Sequence, residues 1–65
     1  MWNYLFEIVN EENEYCGELF FIQCDNLAEA YRIAFNLFEV ERPHDLHFWG
    51  KYTDEEAEAM GCDTY

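Results

Sequence analysis

Three kinds of side chain in this 65-residue chain could carry chemistry: fifteen Asp and Glu, three cysteines and two histidines. A zinc ion needs thiols and imidazoles spaced so that several reach it at once. Cys16, Cys24 and Cys62 form no Cys-x-x-Cys and no Cys-x-x-His pair, the short spacings found in such sites. His44 and His47 are three apart at a loop-to-strand junction, where their side chains are expected to diverge. The carboxylates never form the Asp-x-Asp-x-Asp-Gly loop of an EF-hand. A nucleophilic cysteine needs nearby positive charge to hold its thiolate, and the field here is negative. Carboxylate acid–base catalysis needs one raised pKa inside a pocket, for which a domain this small has little room. No glycine-rich phosphate loop is present, and aromatic residues without basic neighbours do not suit single-stranded nucleic acid. The expectation is therefore no enzyme, no metal site and no cofactor.

What remains is charge. Against the fifteen acids stand three Lys/Arg, a formal net charge of −12. Acidic disordered tails reach such values but are poor in aromatics. Here 20% of residues are Phe, Trp or Tyr and 51% are hydrophobic, so the chain is expected to fold, as one domain spanning residues 1–65. Such a domain is repelled by nucleic acid and anionic membranes and drawn to basic protein surfaces. The longest apolar run, Leu19 to Ile22, cannot cross a bilayer, and no Lys/Arg-led apolar run marks a signal peptide. Cys16 and Cys24, placed on one strand, would lie roughly 26 Å apart at about 3.3 Å per residue, too far for a bridge. Reduced thiols and a cytoplasmic location follow as expectations.

The elements that must position the charges are legible from periodicity. Trp2 to Val9 alternates as a strand rich in β-formers. NEENE (residues 10–14) breaks it, and Tyr15 to Cys24 resumes as a second strand, making a hairpin with a loop of about five residues and an expected bulge at Gly17. Asn26 and Glu29 fit a capping box, followed by Leu27, Ala30, Tyr31, Ala34, Leu37 and Phe38 at helical spacing. Glu29, Arg32, Asn36 and Glu39 fall on the opposite stripe, and Pro43 is expected to stop the helix. Leu46 to Tyr52 reads as a third strand. Thr53 and Glu56 form a second capping box for a short helix over Asp54–Met60, with Gly61 at its stop. Asp54, Glu55 and Glu56 then occupy a first turn, where acids favour the helix by roughly 0.3–1 kcal/mol each.

Assembled, the expectation is an α+β fold: a three-stranded antiparallel sheet in order 2-1-3 packed on one main helix, plus a short C-terminal helix. The core face carries Tyr4, Phe6, Ile8, Phe20, Ile22, Leu46 and Phe48, and the other face still holds Leu5, Leu19, Phe21 and Trp49. Either the C-terminal helix or a second copy covers that second face, or it is an exposed apolar strip suited to gripping a partner. In this topology the hairpin tip (Glu11, Glu12, Glu14) and the exit of the main helix (Glu39, Glu41, Asp45, offset by Arg42) share one pole. Asp25 and the C-terminal helix, with Asp54, Glu55, Glu56 and Glu58, share the other.

Strong acidity, small size and ββαβ organisation together resemble the small anti-CRISPR proteins of phages and mobile elements, inhibitors of the type I-C system among them. The ending DEEAEAMGCDTY is similar to the tails of short bacterial and phage proteins. The resemblance covers the whole chain in size, charge and architecture and carries no diagnostic motif. It implies a stoichiometric inhibitor in the host cytoplasm that mimics DNA and occludes the basic groove of a CRISPR–Cas effector subunit, without binding nucleic acid or membrane itself, as a monomer or weak homodimer. The two acidic clusters are its expected contacts. A second reading is an acidic binding module, antitoxin-like or an adaptor, in which Leu5, Phe21 and Trp49 carry affinity and charge speeds encounter.

Overall fold

The alternating N-terminal segment is a strand, β1 (Trp2–Ile8), in a computed structural model that describes residues 1–65. It lies between β2 (Leu19–Cys24) and β3 (Leu46–Tyr52), antiparallel to both, so the 2-1-3 order stands. The three-stranded antiparallel sheet is corrected by one addition. Asp63–Thr64 form a short β4 beyond β2 and parallel to it, giving a mixed four-stranded sheet in order β3-β1-β2-β4. Two residues carry no readable alternation. What holds them is backbone pairing, extended by Tyr65, whose N–H donates to Phe21 O at 2.8 Å and whose carbonyl accepts from Gln23 N–H at 3.1 Å.

The expected core face is the main core. Tyr4, Phe6, Ile8, Phe20, Ile22 and Leu46 are buried there, with Phe48 half-buried beside them. Helix α1 (Leu27–Leu37) covers them, presenting fully buried Ala30 and Ala34. Two small residues let the helix backbone approach a sheet surface filled with aromatic rings. Tyr31 meets Phe6 edge-on at 5.0 Å between centroids, a favoured aromatic geometry. Asn26 begins the helix by accepting from Glu29 N–H at 2.9 Å, which satisfies one of the free amides of the first turn.

Three boundaries differ from the sequence reading, each because tertiary contacts outweigh a local signal. First, α1 ends at Leu37, well before Pro43. Glu39 adopts a left-handed backbone (φ 54°) and Val40 N–H donates to Phe35 O at 3.1 Å, the 6→1 bond of a Schellman stop. Burial of Phe38 and Val40 on either side of Glu39 holds this turn without the usual glycine. Second, β2 begins at Leu19 and not Tyr15, and a run of turns connects it to β1. Gly17 (φ 89°) closes that run, donating to Ile8 O at 2.7 Å, and is not a strand bulge. Cys16 is therefore in a turn and does not share a strand with Cys24. Third, the bulge is in β3: Leu5 pairs with Gly50 and Phe6 with Phe48, leaving Trp49 as the extra residue.

Helix α2 (Asp54–Met60) has the expected bounds, with both bonds of the Thr53–Glu56 capping box formed and Gly61 left-handed (φ 72°) at its end. It packs on the second face of the sheet, where Ala57 seals buried Leu5 and Phe21. Both helices start from the Trp2–Cys24 end of the sheet. Both run back toward the end where β1 exits, one on each face.

The candidate acidic docking site

Two asparagines build the acidic end. Asn10 Oδ1 accepts from Glu12 N–H at 2.9 Å while its Nδ2 donates to Asp45 Oδ2 at 3.2 Å. Asn13 Oδ1 accepts from Tyr15 N–H at 2.8 Å while its Nδ2 donates to Phe38 O at 3.2 Å. Each side chain folds its own turn and also ties the β1–β2 connection to another part of the chain, the α1 exit or the turn before β3. Tyr15 adds an edge-on contact with Phe38 at 5.2 Å. The two segments thereby enclose an open cleft of about 540 Å³.

Glu12, Glu14, Glu39 and Glu41 line this cleft, and all four are exposed. Arg42 is the only cation among the lining residues, and its Nε donates to Asp45 Oδ2 at 3.4 Å. The carbonyl end of α1 points the same way, with no basic residue in its last turn, so its partial negative charge adds to the carboxylates. Little here neutralises the field. Glu11, expected in this cluster, is exposed on the loop but does not line the cleft. Asp45 does line it, yet only 8% of it is exposed and its carboxylate is engaged by Asn10 and Arg42. Asp45 is an internal brace, and the sequence offered no sign of that.

The second cluster divides differently. Asp54 Oδ1 accepts from Asn3 Nδ2 at 2.7 Å and Gln23 Nε2 at 3.1 Å, joining α2 to β1 and β2. Glu56 is occupied by the capping box, accepting from Thr53 N–H at 3.1 Å. Glu55 and Glu58 are exposed and make no protein hydrogen bond or ion pair. Because α2 runs back along the sheet, only its first residue stands at the far end with Asp25. The expected compact second pole is a strip.

The exposed apolar strip of Leu5, Phe21 and Trp49 is also corrected. Leu5 is 4% and Phe21 0% exposed beneath Ala57, whereas Trp49 is 54% exposed. The C-terminal helix is the cover, and of the three residues only Trp49 remains at the surface.

Burial holds the Cys24 thiol pKa above its ordinary value; a hydrogen bond with the Asn26 backbone opposes this, and the Glu29 and Asp25 charges add to it. All three cysteines are free. No group of three or more His, Cys, Asp or Glu is arranged to hold a metal ion, and no helix is long and apolar enough to cross a membrane. Comparison with protein-family models, curated proteins and solved structures finds no match.

Proposed function

We propose that the protein is a stoichiometric inhibitor that presents its acidic end to the DNA-binding groove of a basic protein, as a mimic of duplex charge. The observation that carries this reading is the gathering of Glu12, Glu14, Glu39 and Glu41 around one cleft whose single arginine is already engaged by Asp45. Charge density explains why gathering matters. Dividing 4339 Å² of surface among twelve net charges leaves about 360 Å² each, whereas duplex DNA averages on the order of 100 Å² per charge. An even spread is too dilute to compete; the same charges on half of the surface would stand at about 180 Å² each, which is why clustering matters. The domain measures 33 × 22 × 16 Å, comparable in its shorter dimensions with the width of a duplex.

In this reading the carboxylates take the places of phosphates against Lys and Arg, and counterions held by both surfaces are released on docking. The protein needs no catalytic group and no cofactor. Its small size, acidity and α+β organisation, which resemble those of anti-CRISPR proteins, direct the first choice of target to a type I-C CRISPR–Cas effector complex in a bacterial cytoplasm. The test is displacement of labelled duplex DNA from the purified complex as the protein is added. Release near one equivalent at low salt supports the reading. Retention of all DNA at every salt concentration sinks it for that target.

A further inference from the structure

The sheet face under α2 is only partly covered. Ala57 seals Phe21 and Leu5 in the row of paired residues Phe21–Leu5–Gly50, and the Tyr52 ring lies against Gly50, but the next row toward the acidic end, Leu19–Glu7–His47, stays open, with Leu19 42% exposed. Trp49, the extra residue of the β3 bulge, stands beside that row. Its Nε1–H donates to Glu7 Oε1 at 3.2 Å, and its ring meets that of His47 nearly perpendicular at 4.6 Å. The bulge thus holds an indole and a carboxylate together at an open surface. Glu7 Oε2 has no protein partner.

We propose that Glu7 and Trp49 form a subsite for an arginine side chain of the basic partner inferred above, on which this inference rests. A guanidinium stacks on the indole face while donating to Glu7 Oε2. Arginine suits the pair better than lysine because its planar, weakly hydrated head can stack and hydrogen-bond at once. A nucleobase is disfavoured, since stacking sites for nucleic acid are flanked by cations and this one is flanked by a carboxylate. A second copy of the chain is an unsuitable occupant as well. Its Arg32 pairs with Glu29, its Arg42 with Asp45, and its Lys51 lies over Trp2 at 4.5 Å from the ring centroid. Each of its cations is already engaged, and both copies carry −12. The Lys51–Trp2 contact is the same cation-over-indole chemistry used within the chain.

The test follows the two indole N–H resonances of the ¹⁵N-labelled full chain during titration with acetyl-Gly-Arg-Gly-amide and, separately, with its lysine counterpart. The arginine peptide is expected to move the Trp49 signal saturably and to bind more tightly than the lysine peptide, with Trp2 as internal control. Glu7→Gln keeps the acceptor for Trp49 and removes the charge; it should weaken arginine binding roughly two- to fivefold. Equal responses to the two peptides, or an unchanged Glu7→Gln titration, would overturn the subsite. An unresponsive Trp49 in a protein that still displaces DNA defeats the subsite alone. A responsive Trp49 in a protein that displaces no DNA supports the subsite and defeats the inhibitor reading for that target.

Discussion

Carboxylates of one type do different work here, and partners within the chain decide which. Asp45 is buried and accepts from Asn10 and Arg42, whereas Glu41, four residues earlier, is exposed at the cleft with no partner. Asp45→Ala leaves the Asn10 amide unpaired and is expected to cost about 1–3 kcal/mol in urea unfolding. Glu41→Gln should stay within about 0.5 kcal/mol of the parent and reduce partner binding instead. Cys24 makes a second case. Its thiol pKa is raised in the folded chain, chiefly by burial, so the folded state holds that proton more tightly than the unfolded state. The associated stability is present below the ordinary thiol value of 9.0 and is lost as pH rises through the folded value. Unfolding free energy should therefore decline above about pH 9, and Cys24→Ala should flatten that decline. An equally steep decline in the variant would assign it to other groups.

At the scale of elements, the α1 stop joins stability to the acidic end. Glu39 holds a left-handed backbone that favours glycine (φ 54°) and also contributes a cleft carboxylate. Glu39→Gly relieves about 1 kcal/mol of backbone strain, partly offset by glycine's unfolded-state entropy. A melting temperature equal to or a few degrees above the parent's is expected, together with weaker partner binding. A stabilised variant that binds as well as the parent would remove Glu39 from the contact surface. This position also marks where the sequence stopped being readable. The face of β1 and β2, the core stripe of α1 apart from Leu37, which is 45% exposed, and the bounds of α2 were legible, because alternation, helical spacing and the Thr53–Glu56 box are local signals. The α1 stop was not, since a glutamate in a Schellman turn is stabilised by burial of Phe38 and Val40, which are long-range facts. β4 was invisible for the same reason, as was the bulge at Trp49; the cover that α2 places over Leu5 and Phe21 was one of the alternatives the sequence left open.

For the whole molecule, topology gathers part of the acid excess around one cleft. The β1–β2 connection and the α1 exit come together because β1 runs toward that end and α1 runs back to it. Glu12, Glu14, Glu39 and Glu41 could thus be grouped from sequence once the strand order was inferred. The internal roles of Asp45 and Asp54 could not, because each depends on a partner fixed only by the folded geometry; the role of Glu56 could, because its capping partner Thr53 is three residues away. Glu7 and Trp49, 42 residues apart, are joined only by the β3 register.

The central claim is that the acidic end competes with DNA through its charge. The most direct test compares the wild-type chain with the variant carrying Glu12→Gln, Glu14→Gln, Glu39→Gln and Glu41→Gln in displacing duplex DNA from the effector complex across a salt series. The account predicts strong displacement by the wild type that fades steeply with salt, and a variant that is folded but at least about tenfold weaker, with a shallower salt dependence. Equal displacement by both proteins, with the same salt slope, would contradict it.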